Sequence, residues 1–256
     1  MRKRYFACVI FCLLLATVAL SGCQINLPPW KKLSGRGEII TLDNSLSGGK
    51  YSLIITDIQF TASSAGEINI DEDLPDKLIL STHKNIADTI TITVDEETST
   101  IHLKGSRKYR YNTDDFKIQV GAPLVKLEVD GGYALELKLP SITDFTLNIN
   151  GAISGDLAFE QLDSLKVLIN GACNLALTGE CEKCSVVING ASDVDASAFA
   201  TQDSDITING AGHYTANAHR ILDAEVNGVG TITYIGSPET INKRVAGIGT
   251  IKQKGE

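Results

Sequence analysis

Four carboxylates fall close together in the chain and are expected on adjacent coils of the fold: Asp193, Asp195, Asp203 and Asp205. Oxygen ligands in such a group suit Ca²⁺, and paired acids also serve polysaccharide lyases and glycosidases. The spacing does not place two carboxyls across a scissile bond, and no dense Gly-Asp calcium repeat surrounds them. The competing reading is a set of surface acids on turns.

Arg107-Lys108-Tyr109-Arg110-Tyr111 is the dense basic and aromatic stretch of an otherwise acidic chain. Charge and ring faces together suit an anionic glycan or a lipid headgroup. The same run also fits a solvated loop that breaks the fold's regularity, with its tyrosines packed on an edge.

Four histidines are scattered: His83, His102, His213 and His219. His213 and His219 flank Tyr214, but no third ligand for a metal stands near them. Cys181-Glu182-Lys183-Cys184 is a lone C-x-x-C. It lacks the further ligands of a zinc site and the βαβ setting of a redox motif. Cys173, Cys181 and Cys184 remain after export, so a disulfide between two of them leaves one thiol over. Gly35-x-Gly37, Gly228-x-Gly230 and Gly247-x-Gly249 do not follow the strand-to-helix pattern of a phosphate cradle. No catalytic constellation, metal or cofactor is expected.

The elements that hold these residues are set by a recurring pair. Asn-Gly occurs at Asn150-Gly151, Asn170-Gly171, Asn189-Gly190, Asn209-Gly210 and Asn227-Gly228. Asp130-Gly131 precedes the series and Ala246-Gly247 follows it. The steps are 20, 20, 19, 20, 18 and 19 residues, a fixed period that marks a stack of repeated units.

The flanks repeat as well. Ile149, Ile169, Ile188, Ile208 and Val226 stand just before the pair, with Leu147, Val167, Val186, Ile206 and Ala224 two residues earlier. That alternation is a half-buried strand running into a bend. Ala152, Ala172, Ala191 and Ala211 follow the bend as a column of small residues. Beyond them, Leu175, Val194, Tyr214 and Ile232 share an inward phase, as do Leu157, Leu177, Ala196 and Ala216. Ser154, Asn174, Asp193, His213 and Thr231 are expected to face water, with Asp156, Ala176, Asp195, Thr215 and Thr233 beside them.

Each unit therefore reads as strand, bend, strand and return, with no helical stripe. Positive φ at the bend explains the glycine, and asparagine tolerates it better than most residues. Stacked coils bring like residues to about 4.8 Å, close enough for Asn above Asn to form an amide ladder. The architecture is a parallel β-helix, each coil burying its face on the next.

Residues 34–115 are also β in pattern, with a looser period. Turn clusters at Ser47-Gly48-Gly49, Ser63 to Gly66, Asp71 to Asp76 and Asp95 to Ser99 separate apolar pairs such as Leu53 and Ile55 or Ile101 and Leu103. They read as irregular coils covering the first regular coil at Leu124 to Leu139. A separate sandwich is the alternative.

Residues 1–22 look like an export signal: Arg2-Lys3-Arg4, then an apolar run from Phe6 to Leu20 too short for a stable span. The run ends in Leu20-Ser21-Gly22-Cys23, which resembles the bacterial lipobox, with Cys23 as the lipidated residue. An ordinary secretory signal with an incidental cysteine is the alternative. Residues 23–33, with Pro28-Pro29, form a short tether. The formal charge is −8; losing residues 1–22 leaves 20 basic against 31 acidic residues, net −11. Such a surface argues against nucleic-acid binding and against general attraction to anionic lipid.

Val129-Asp130-Gly131-Gly132, Ile149-Asn150-Gly151-Ala152 and Ile169-Asn170-Gly171-Ala172 are similar to the Gly-Ile-Asn repeat of the bacterial head GIN domain family of auto-transporter adhesins. Lys77 to Lys104, Phe116 to Val120 and Pro123-Leu124 resemble its N-terminal part. The resemblance spans 34–256, with 116–256 as the regular Asn-Gly coils. It implies an exported protein, often a lipoprotein, with a right-handed parallel β-helix. It carries over no catalytic residue.

The expectation is a lipid-anchored cell-envelope protein, at the outer membrane or cell surface, acting as a non-enzymatic binding or adhesion module. Its partners would be the membrane, through Cys23, and an envelope glycan or surface partner. A carbohydrate-active enzyme and a self-associating scaffold are the alternatives.

Overall fold

The computed structural model describes residues 30–71 and 73–255. The export signal and Cys23 lie outside the described residues. The regular part is a β-solenoid. It begins with β10 (Leu124–Val129), β11 (Gly132–Leu139) and β12 (Ile142–Ile149). It continues through the long strands β13 (Ala152–Ile169), β14 (Ala172–Ile188), β15 (Ala191–Ile208) and β16 (Ala211–Val226). It closes with β17 (Val229–Ile235), β18 (Thr240–Val245) and β19 (Ile248–Gln253).

Each long strand is bent midway, so its first half trails one Asn-Gly bend and its second half leads into the next. All pairings in this part are parallel, coil over coil. Ala152 pairs with Ala172, Ala172 with Ala191 and Ala191 with Ala211. Val167, Val186 and Ile206 stack in the same way before the bend. Alternation decides the faces. Leu147, Ile149, Val167, Ile169, Val186, Ile188, Ile206 and Ile208 are all buried. Each fully buried side chain of this size contributes about 1.5–3 kcal/mol of transfer free energy. The interior is aliphatic, with a file of rings: Phe159 lies 5.7 Å from Phe145 and 5.6 Å from Phe199.

The N-terminal part consists of β1 (Lys31–Ser34), β2 (Ile39–Ser45), β3 (Tyr51–Thr56), β4 (Gly66–Ile70) and β5 (Lys77–His83). A single-turn helix α1 (Lys84–Ala87) follows, then β6 (Thr91–Asp95), β7 (Thr100–Lys104), β8 (Tyr109–Asn112) and β9 (Phe116–Val120). This part continues the same sheets, but out of chain order. β3 and β4 make a coil that pairs in parallel with β10 and β11 on one side. On its other side it pairs in parallel with β7 and β9, which come later in the sequence. The coil at Tyr51–Ile70 is thus slotted between Thr100–Val120 and Leu124–Leu139.

Beyond that, pairing turns antiparallel: β6 on β7, β5 on β9 and β2 on β5. The result is a mixed sheet at the N-terminal end of the stack. β1 and β8 form a separate two-stranded parallel ribbon. It is tied to the slotted coil where Tyr111 N–H donates to the Gln59 carbonyl and Thr61 N–H to the Tyr111 carbonyl, each at 2.8 Å.

Candidate functional site

The Asn-Gly bend is the most repeated feature of the surface. Asn170 donates its side-chain amide to Asn150 Oδ1 at 2.9 Å, and Asn189 to Asn170 at 2.8 Å. Asn209 donates to Asn189 at 2.9 Å and Asn227 to Asn209 at 3.0 Å. Each backbone N–H also donates to the coil below, as Asn170 does to the Ile149 carbonyl at 2.8 Å. The line of polar side chains runs past the repeat, because Gln59 Nε2 donates to Asp130 Oδ1 at 2.9 Å.

The glycines are there for a different reason from the one expected. None of the bend asparagines has positive φ, and among the bend glycines only Gly131 does, at 139°. Close approach is what excludes a side chain. A Cβ on Gly190 would stand 1.7 Å from the Gly171 carbonyl oxygen, and one on Gly171 1.9 Å from that of Gly151.

The outward columns follow the register. Asn174, Asp193, His213, Thr231 and Thr250 align across successive coils. Beside them align Asp156, Ala176, Asp195, Thr215, Thr233 and Lys252. Ser154 departs from expectation: it heads the first column but is only 3% exposed.

The four aspartates do not converge. All sit on β15, not on adjacent coils. Asp193 and Asp195 precede its corner and pair with β14 at Asn174 and Ala176, whereas Asp203 and Asp205 follow it and pair with Lys183 and Ser185. Asp203 is bound by Arg220 at 2.5 Å. The Ser197 side chain and backbone N–H hold Asp195 below the usual carboxylate range. Asp205 goes the other way. Partial burial raises its pKa, with Asp223 directly above it and Glu225 adding to the rise.

The basic stretch is divided between a turn, which holds Arg107 and Lys108, and β8, which begins at Tyr109. Tyr111 is fully buried, its hydroxyl 2.9 Å from Thr89 Oγ1. Arg107 binds Asp57 at 2.7 Å, an ion pair that raises its own pKa. Tyr109 is half-buried against the core, while Lys108 and Arg110 are exposed. Arg110 stands over the Trp30 ring, 5.4 Å from its centroid. The five residues are therefore two core tyrosines and three outward cations rather than one cluster. Sequence reasoning missed the strand that completes this surface, β1, because a four-residue strand beside a tether has too few alternations to declare itself.

The histidines stay apart. His83 lies 3.2 Å from Asp115, and His102, His213 and His219 are exposed elsewhere. Among the described residues no three His, Cys, Asp or Glu side chains gather to hold a metal ion. Cys173, Cys181 and Cys184 are all buried. Burial pushes Cys181 up to about 11 and Cys184 up to about 12. Neither is an accessible thiolate.

The fold and the ladder define a class: an all-β solenoid with coils of about 20 residues, capped by a mixed sheet. The chain belongs to the head GIN domain family. The family model, described as "Putative auto-transporter adhesin, head GIN domain", matches residues 56–238. A solved putative adhesin from Bacteroides fragilis is 21% identical, with TM-score 0.73, covering 86% of this chain and 99% of that one. A structure from Parabacteroides distasonis titled putative lipid binding protein is 20% identical, with TM-score 0.55, covering 87% and 99%. A putative adhesin from the same organism is 18% identical, with TM-score 0.55, covering 87% and 100%. A comparison with curated proteins gives no match.

Proposed function

We propose that the chain is an exported, lipid-anchored envelope protein whose coil stack is a non-enzymatic binding or adhesion module. The observation that carries this reading is the register. Asn174, Asp193, His213, Thr231 and Thr250 stand one above another, offering amide, carboxylate, imidazole and hydroxyl groups at intervals of about 4.8 Å. A polymer with repeating polar units, such as an envelope glycan, would meet hydrogen-bonding groups at regular steps along such a face. The family description, which names an adhesin, supports the reading. The anchor is supported by Arg2-Lys3-Arg4, the apolar run and Leu20-Ser21-Gly22-Cys23. Acyl chains add about 0.8 kcal/mol per buried methylene, enough for several on Cys23 to hold the protein at an outer membrane or cell surface.

Glycan-array binding with analysis of the recovered glycans tests it. Binding of intact glycan fits the proposal; binding that Asp193→Ala with His213→Ala leaves unchanged moves the site off this face. Cleaved product selects the second reading, a carbohydrate-active enzyme. One observation favours that reading: Asp205 and Asp223 are register neighbours, and the proton affinity of Asp205 is raised. Asp205→Asn would then abolish product release.

A further inference from the structure

We infer that the outer face of the β1–β8 ribbon docks on an anionic lipid bilayer, holding the N-terminal end of the stack flat against the membrane. The inference rests on the lipid-anchored reading above and adds the face and the headgroup chemistry.

Strand parity builds the face. Lys32 pairs with Arg110 and Leu33 with Tyr111. Tyr111 is fully buried and Leu33 packs on the core, so the ribbon's inner side is fixed. Lys32 and Arg110 therefore point away from the core. Trp30 immediately precedes β1 and Lys108 lies in the turn before β8; the Arg110 guanidinium sits over the half-buried Trp30 ring at 5.4 Å, with the indole nitrogen turned inward. Lys32, Lys108 and Arg110 are exposed. Three exposed cations beside a partly exposed indole ring form a composition that lodges at a headgroup layer, where aromatic rings and basic side chains both gain.

The surroundings strengthen the assignment. The chain without residues 1–22 carries 20 basic against 31 acidic residues, net −11, so this face is opposite in sign to the net charge. The acids nearest in sequence to β8 are Asp114 and Asp115. Asp57 is engaged by Arg107, Asp115 lies 3.2 Å from His83, and Asp114 is exposed beyond the end of β8. The ribbon also begins eight residues after Cys23, a length that reaches at most about 29 Å fully extended. An acyl anchor there keeps these cations within reach of the headgroups. A soluble acidic polysaccharide would use the cations and the ring but gives no reason for the place beside the anchor.

Trp30 is the single tryptophan of the chain, so its fluorescence reports on this face alone. The lipidated full-length protein is incorporated into vesicles of phosphatidylcholine, or of phosphatidylcholine mixed with phosphatidylglycerol. Both carry bromines in their acyl chains, and flotation confirms incorporation. The expected result is quenching at least about twofold stronger in the anionic vesicles, falling to the neutral-vesicle level at high salt. The K32S/K108S/R110S variant should float equally well but show only the neutral-vesicle level. Equal quenching in both vesicles, insensitive to salt, overturns the docking face while leaving the anchor standing. Failure of the protein to float overturns the anchor and the inference with it. A polyuronate that shifts Trp30 emission while the anionic vesicles do not assigns the face to soluble polyanions and overturns the membrane assignment.

Discussion

Asn189 donates its side-chain amide to the side-chain oxygen of Asn170 one coil below, at 2.8 Å, and accepts from Asn209 one coil above at 2.9 Å. Asn189→Ala removes both bonds, whereas Asn227→Ala removes the one it donates to Asn209. The expected losses are about 1–2 kcal/mol for Asn189→Ala and about half that for Asn227→Ala. Urea denaturation of the two variants checks the order; equal losses would mean that the bends, not the ladder, set the cost.

Gly190→Ala places a methyl group 1.7 Å from the Gly171 carbonyl, against backbone that is itself hydrogen-bonded. The expected cost is about 2–4 kcal/mol. At Gly37, φ is +82° and nothing stands within 4 Å of an added Cβ. Gly37→Ala should cost only about 1 kcal/mol, through backbone conformation. Denaturation midpoints of the pair separate crowding from conformation.

Cys181 and Cys184, held at about 11 and about 12 by burial, should resist alkylation in the native protein at pH 8. Both should label fully once the protein is unfolded. Peptide mapping after iodoacetamide treatment reads the two sites separately from the other cysteines. Rapid native labelling would place a thiol at the surface.

Two carboxylates should move stability with pH in opposite directions. Hydrogen bonds from Ser47 and Tyr51 lower the Glu96 pKa below 4.5. Its stabilisation is therefore present above that value and lost as pH falls through the folded pKa. Glu96→Gln should be less stable than the parent at pH 7, with the gap closing in acid. Asp205 is raised above 3.8 by burial and by its acidic neighbours. The native state then binds the proton more tightly, so Asp205 costs stability above its folded pKa and costs nothing below 3.8. Asp205→Asn should be more stable than the parent at pH 7, again with the gap closing in acid. Urea midpoints at pH 7 and pH 3 test both signs.

The regular coils were legible because the motif and the register coincide. Ala152, Ala172, Ala191 and Ala211 were aligned by counting from each Asn-Gly, and they pair in that alignment. The amide ladder followed from the same alignment. The reason for the glycines did not follow. A sequence shows that a side chain is absent, but not whether dihedral angle or a neighbouring carbonyl requires it.

The slotted coil was hidden for another reason. Gln59 takes the place over Asp130 that an asparagine takes elsewhere, so Tyr51–Ile70 carries no copy of the motif. Its position between β7 and β10 is fixed by pairings distant in sequence, which local pattern does not record. In the basic run, charge was legible but burial was not. Packing on the core fixes which side of β8 faces out: Tyr111 is buried against Phe60 and Arg110 is exposed.

The polar columns exist only if coil lies over coil in register. Pyrene attached at Asp193→Cys with His213→Cys, register neighbours one coil apart, measures this directly. Strong excimer emission is expected for that pair, weaker emission for positions 174 and 213, and weakest for 174 and 231, as separation grows from about 5 to about 14 Å. Absence of excimer at 193 and 213, or equal emission from all three pairs, would contradict the stack and remove the binding face built on it.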